Sequence, residues 1–280
     1  MKALVIPKNN ISNKASVKTF LKILDDENVK YEVIPFDEVD AFYDEIHKKN
    51  LKNSFDILIS YGGDGTILKS ARIARKLDIP ILGINAGNIG FLTVINDLKN
   101  AKLAIQNIIK NKYLCEERSM LDVEIVRGNK KVFNSYAVNE ATITSINICK
   151  MGKYKLLVGK EKKLFTEYSS DGIIVATPTG STAHSLSMGG PIVSPDVNCF
   201  IITAIYPHTL NQRSIVISGN EDLYIEIQRD GQIVDIDGRI EFELKEKDII
   251  KLSRLKKTVK YIIFEENSFL VNIKNKIKAI

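Results

Sequence analysis

Residues 55–66 read FDILISYGGDGT, and this stretch constrains the fold more than any other. Its first half, 55–60, is an apolar run of the length of a buried strand. The run stops at Gly62-Gly63-Asp64-Gly65-Thr66, and residues 67–77 then carry apolar side chains at helical spacing. A buried strand that turns through glycines directly into a helix is half of a βα unit, which belongs in a parallel sheet covered by helices. Backbone N–H groups at such a turn suit an anion. Gly62, Gly63 and Gly65 permit positive φ and close backbone approach. Asp64 is the unexpected residue, because a simple phosphate cradle needs no acid. It reads either as a group acting on a hydroxyl beside the phosphate or as a cap on the helix. The glycines are too close together for the dinucleotide fingerprint, and the turn lacks the Gly-Lys-Ser/Thr ending of the P-loop. Lys69, about one helical turn further on, is either a group reaching back to a phosphate or a surface lysine.

The stretches around this turn repeat its alternation. Residues 2–7 and 31–34 read as strands, 16–28 and 41–51 as helices, 80–85 as another strand, and 98–110 as another helix. The expected N-terminal domain is therefore α/β with a parallel sheet, and ligands of such sheets sit beyond the strands' carboxyl ends. From about residue 113 the texture changes to short alternating strands separated by polar or glycine turns, including 120–126, 132–145, 172–176, 199–205, 232–236 and 259–264. This second half reads as an all-β domain, a sandwich or stacked sheets. The expected domains are 1–112, completed by an amphipathic C-terminal segment 266–280 packing back as a helix, and 113–265.

Composition excludes several classes. A hydrophobic share of 44% and a charged share of 26% are those of a globular chain. No apolar stretch reaches the roughly 18–20 residues a membrane span needs, and the N-terminal apolar run is shorter than a signal-peptide core of about 7–15 residues. The net charge of +6 is spread out, and the denser stretch KLSRLKKTVK at 251–260 reads as a solvated face, not a nucleic-acid patch. Three cysteines, Cys115, Cys149 and Cys199, are far apart, odd in number and without metal-ligand spacing. The expectation is a reduced, cytoplasmic setting.

Three further constellations carry polar chemistry. GINAGNIGFL at 83–92 is a second glycine turn after a strand, at the same sheet edge as the first if the strands are parallel. Asn139-Glu140 ends the apolar stretch Tyr136-Ala137-Val138 and reads either as a polar strand end or as an amide beside a carboxylate that can take two neighbouring ribose hydroxyls. SDGIIVATPTGSTAHSLSMGGP at 170–191 crowds small hydroxyl residues and glycines around one buried-looking strand, which suits a polar ligand held at close range. His184 could serve as a base, but no G-x-S-x-G nucleophile elbow accompanies it. His47 and His208 have no metal spacing with it, so no protein-held metal is expected.

Taken together and in this order, these stretches resemble the NAD kinase family, of bacterial type. They are similar to its GGDGT, its Asn-Glu pair, and its SDGxxxxTPTGSTA signature followed by a GGP turn. Pro207-His208-Thr209-Leu210, Arg213, Asp230-Gly231-Gln232 and Glu117-Arg118-Ser119-Met120-Leu121 fall where that family has similar residues. The resemblance is strong over about residues 55–236. GGDG alone also occurs in diacylglycerol and sphingosine kinases and, similarly, in phosphofructokinases, whereas TPTGSTA after SDG is far more specific.

The resemblance implies that ATP phosphorylates the adenosine ribose 2′-OH of NAD to give NADP and ADP, with Asp64 as the proton acceptor. It implies a phosphate side formed by Gly62, Gly63, Gly65, Thr66 and Lys69. It implies an NAD site drawn from Asp64, Gly65, Asn139, Glu140, Asp171, Thr182, Ala183, His184, Ser185, Leu186, Ser187 and Gln232. Mg²⁺ or another divalent cation is expected with ATP, polyphosphate stays open as a donor, and a homodimer or homotetramer is expected. The alternatives are a lipid kinase of the same superfamily and a non-catalytic NAD sensor. Two residues depart from the family pattern: His184 stands where many members have tyrosine, and Ser169 where many have arginine. Lys150 or Lys153 is the candidate substitute for that arginine.

Overall fold

The computed structural model describes residues 1–8, 15–85, 90–95, 97–147, 150–209, 212–265 and 268–277. The chain divides into two compact units, 1–118 with 259–280, and 119–258. The sequence-derived border at 112/113 and the return at 266 both shift, because two strands assigned to the second domain pair inside the first unit.

The first unit opens with strand β1 (Lys2–Pro7), helix α1 (Ala15–Asp26), β2 (Lys30–Val33), α2 (Val39–Lys48), β3 (Ile57–Tyr61), α3 (Asp64–Leu77), β4 (Ile81–Ile84), α4 (Leu98–Ile109) and β5 (Leu114–Arg118). Strand Val259–Ile263, β17 in chain order, returns to this sheet and lies between β4 and β5, so the order is β2-β1-β3-β4-β17-β5. β1, β2, β3, β4 and β17 run parallel, and β5 joins β17 antiparallel. Strand 259–264, expected in the β domain, thus belongs to the α/β sheet. A parallel strand must be reached by a crossover, so adjacency in sequence did not reveal its partner. The final helix Ser268–Ile277 also falls in this unit, with Phe269 buried and the Arg118 guanidinium 6.0 Å from its ring centroid.

β3 is buried along its whole length because helices cover both faces of its sheet. Ile57, Ile59 and Tyr61 pack with Phe20 and Leu24 of α1 and Ala104 and Ile105 of α4. Ser60, on the opposite face, accepts a hydrogen bond from Ser70 of α3 at 3.2 Å. Each fully buried Ile or Leu contributes roughly 1.5–3 kcal/mol, so a one-residue register slip at β3 is strongly disfavoured. The turn after β3 therefore has a fixed position in its unit. α3 ends where Asp78 takes the left-handed conformation, φ 59°, and its N–H closes on the Ala74 and Arg75 carbonyls.

The second unit is one eleven-stranded sheet rather than two separate sheets. Its strands are β6 (Leu121–Arg127), β7 (Lys130–Ala137), β8 (Glu140–Ser145), β9 (Gly152–Val158), β10 (Lys163–Ala176), β11 (Cys199–Pro207), β12 (Ile215–Ser218), β13 (Leu223–Ile227), β14 (Gln232–Ile236), β15 (Ile240–Leu244) and β16 (Ile249–Arg254). A single antiparallel path runs β15-β14-β8-β10-β9-β13-β16-β6-β7, with β11 and β12 branching from β10. β10 is 14 residues long because its two halves have different partners: 163–170 pairs with β9, and 170–176 pairs with β11 and β8. Inward side chains from ten strands, among them Val123, Ile143, Leu156, Val175, Ile202, Ile225, Val234 and Leu252, meet in one core. The stretch 132–145, expected as one strand, is two. Val138 and Asn139 leave the ladder between β7 and β8. No helix among the described residues is long and apolar enough to cross a membrane.

Candidate active site

In the first unit, Gly63 caps α3 and Asp64 is its first residue, so the acid is not the helix cap. The Asp64 carboxylate accepts the Phe91 N–H at 2.7 Å and the Leu92 N–H at 3.0 Å, both from the second glycine turn. A carboxylate has about four lone-pair sites, so two donors fix its orientation and leave acceptor capacity. Gly90 is needed for this contact, since a Cβ there would lie 1.9 Å from Asp64 Oδ1. The two glycine turns thus meet at one edge of the parallel sheet. Residues 86–89 of the second turn lie outside the described residues.

The glycines of the first turn act by size rather than by positive φ. None of Gly62, Gly63 and Gly65 adopts a left-handed φ. A Cβ on Gly62 would meet Thr66 Oγ1 at 2.3 Å, which packs the turn against its own helix. Gly63 and Gly65 face open space, where a ligand's phosphate can approach the backbone. Thr66 is buried. Lys69 turns to its own neighbours: its ammonium donates to the Phe36 carbonyl at 2.9 Å, pairs with Asp40 at 3.0 Å and sits over the Phe36 ring.

In the second unit, the Asn-Glu pair and the TPTGSTA segment come together. The Thr177 hydroxyl donates to the Val138 carbonyl at 2.6 Å, and the Thr177 N–H donates to the Asn139 carbonyl at 2.8 Å. A Cβ on Gly180 would lie 2.2 Å from the same Asn139 oxygen. After this contact come a 3₁₀ turn at Thr179–Thr182 and the short helix α5, His184–Ser187. His184 Nδ1 lies 3.0 Å from Glu140 Oε1. Glu140 is buried while the His184 side chain is largely exposed, so the imidazole lies over the carboxyl on its solvent side.

The hydroxyl density is used differently from the sequence reading. Ser181 fastens to the Val193 backbone in both directions, Thr182 donates to the Thr179 carbonyl, and Ser185 pairs with Thr203. A segment outside the sheet must satisfy its own polar groups, and these side chains do so. Asn139 Oδ1, Glu140 Oε2 and Thr179 Oγ1, by contrast, are buried and find no hydrogen-bond partner among the described residues. Ala183 and Leu186 are half-buried, and Ser187 is exposed.

Burial raises the Glu140 carboxyl to about 8, helped by the nearby negative charges of Asp237 and Asp235 and opposed by a hydrogen bond from the His184 backbone. Gln232 is buried and accepts from the Tyr154 hydroxyl at 2.6 Å. Burial, with the charge of Asp171 second, raises that hydroxyl's pKa, so it remains a proton donor. Asp171, Tyr154 and Gln232 are thus neighbours. Ser169 lies directly across the β9–β10 ladder from Lys153.

Sequence reasoning missed Asp237. It follows β14 and has a left-handed φ of 53°. Its carboxylate accepts the N–H groups of Val138, Asn139 and Glu140 at 2.8, 2.8 and 3.2 Å. Asp237-Gly238 is a hairpin signal in the sequence, but nothing local indicates what the aspartate holds.

Two family models match the chain. Residues 9–113 match the ATP-NAD kinase N-terminal domain and 138–264 the ATP-NAD kinase C-terminal domain. The chain belongs to the NAD kinase family. Members of this family are enzymes that transfer phosphate from a nucleotide. An NAD kinase of Sulfurimonas denitrificans is 36% identical over 230 residues, which cover 82% of this chain and 80% of the relative. An NAD kinase from Archaeoglobus fulgidus, solved in complex with ATP, matches at TM-score 0.76 and 27% identity over 100% of both chains. Yeast NADH kinase, solved with NADH, matches at TM-score 0.85 over 99% of this chain and 88% of that one. At 22% identity it bears on the fold alone.

Proposed function

We propose that the chain is an NAD kinase that uses ATP to phosphorylate the 2′-hydroxyl of the adenosine ribose of NAD. One observation carries the reading: three buried polar atoms of the second unit, Asn139 Oδ1, Glu140 Oε2 and Thr179 Oγ1, have no hydrogen-bond partner among the described residues, on two segments that backbone contacts of Thr177 and Gly180 with Asn139 hold together. Leaving such atoms unsatisfied costs about 1–3 kcal/mol each, a cost that a ligand's ribose hydroxyls would remove. Asn139 and Glu140 would hold ribose, with Asp171, Gln232 and the 182–187 segment along the dinucleotide. Gly63, Gly65 and the first N–H groups of α3 would receive phosphate.

In the reaction the ribose 2′-oxygen bonds to the γ-phosphorus as the bond to the β-phosphate oxygen breaks. The hydroxyl proton goes to Asp64, and ADP leaves. Asp64 is suited to this by its oriented carboxylate and spare acceptor sites. Phosphoryl transfer otherwise needs positioning and charge neutralisation. The described residues contain no group of three His, Cys, Asp or Glu placed to hold a metal ion. A divalent cation carried on the ATP phosphates would neutralise charge there, with Asp64 as the carboxylate of the turn. Lys69 is held by Phe36 and Asp40, so a phosphate role for it requires that pair to open. Lys153, across from Ser169, is the candidate cation for the place where many members have arginine. A cytoplasmic setting and a homodimeric or homotetrameric assembly complete the reading.

The test incubates purified protein with NAD, Mg²⁺ and either ATP or polyphosphate, and detects NADP with an NADP-specific dehydrogenase. NADP from ATP is expected. NAD binding without NADP from any donor would leave a sensor in place of an enzyme.

A further inference from the structure

Val138 and Asn139 lie between β7 and β8 and have left the strand ladder. Residues that leave a ladder while buried must find other partners for their backbone groups. Two residues from distant parts of the chain supply them. On the carbonyl side, Thr177 takes the Val138 and Asn139 oxygens through its hydroxyl and N–H. On the N–H side, the single carboxylate of Asp237 takes Val138, Asn139 and Glu140. The Asp237 N–H also donates back to the Glu140 carbonyl at 3.2 Å.

We propose that Asp237 is a positioning residue for nucleotide binding, whose carboxylate clamps backbone 138–140 and so aims the Asn139 and Glu140 side chains at the ligand. This rests on the NAD-kinase reading of the site. Three features separate it from an ordinary turn aspartate. An Asx turn engages its own neighbouring backbone, whereas this carboxylate reaches 97 to 99 residues back along the chain. It satisfies three donors that no strand serves. The two side chains it orients carry buried atoms without partners, Asn139 Oδ1 and Glu140 Oε2. Burial raises the Asp237 carboxyl to about 6, while those three N–H bonds and the charge of Arg239 pull it down, so the clamp is ionised at neutral pH.

Asp237→Asn and Asp237→Gly test this, because both residues tolerate the left-handed φ. Asparagine keeps one acceptor oxygen and glycine keeps none. NAD affinity is measured by calorimetry on the full-length wild type and both variants, beside kcat with ATP and hydrogen exchange of amides 138–140. The expected result is a dissociation constant for NAD raised at least fivefold in the asparagine variant and further in the glycine variant. Exchange at 138–140 should be faster, with kcat within threefold of wild type. A merely structural role would lower Tm and leave affinity alone. A folded variant with less than a fivefold change overturns the proposal, as does loss of folding in both variants. Wild-type protein that binds NAD without making NADP defeats the phosphotransfer reading and leaves this one to be judged on affinity. Wild-type protein that does not bind NAD removes both.

Discussion

The two units present polar groups in opposite ways. The α/β unit offers mostly backbone: a helix N-terminus, two glycines open to approach, and one carboxylate held by two N–H groups. The β unit offers side chains: a buried amide, a buried carboxyl and a hydroxyl with unused hydrogen-bonding capacity. Backbone donors at a helix start recognise charge and little else, whereas buried side-chain acceptors discriminate among hydroxyl patterns. Under the proposed function, phosphate handling and proton transfer fall to the first unit, and selection of the nucleotide to the second. Substitutions in the first should cost rate, and substitutions in the second should cost affinity.

The largest effect is expected at the acid. Asp64→Asn should lower kcat by about 100-fold or more, the loss typical of removing a general base. Next is its steric support. In Gly90→Ala the new Cβ cannot coexist with Asp64 Oδ1, and displacing the carboxylate should lower kcat roughly 10- to 100-fold, with NAD affinity retained. In the second unit, Asn139→Ala removes a buried acceptor and should weaken NAD binding about 5- to 10-fold by calorimetry, with kcat within threefold of wild type. A kcat loss larger than the affinity loss at Asn139 would break the division.

The smallest effect concerns pH. The Glu140 carboxyl rises from 4.5 to about 8 on folding, chiefly by burial. The folded state therefore binds the proton more tightly, and folding takes one up between these values. Stability then falls as pH rises from about 4.5 to 8. Glu140→Gln stays neutral and escapes this loss. Its Tm relative to wild type should be higher by a few degrees at pH 8 than at pH 5, as thermal melts across that range will show. A pH-independent difference would mean that Glu140 is ionised in the fold.

The parts legible from sequence were local. The run 55–77 announced strand, turn and helix because one apolar run and one glycine cluster decide all three. The TPTGSTA segment announced a polar site, yet three of its four hydroxyls bond protein backbone, and only tertiary structure separates Thr179 from Thr177, Ser181 and Thr182. The glycine turn was legible as a turn, but its reason was not. Gly62 is small for Thr66, and Gly90 for Asp64, and neither contact follows from φ preferences. Asp237 and β17 were illegible for one reason: their partners lie about 100 or more residues away, and local pattern does not encode who pairs with whom.

The division of labour is tested most directly by titrating NAD into Asp64→Asn protein in a calorimeter, beside its rate of NADP formation. The predicted result is a dissociation constant within twofold of wild type at about 100-fold lower turnover. A loss of affinity as large as the loss of turnover would make Asp64 a ligand of NAD without a role as the base and contradict the account.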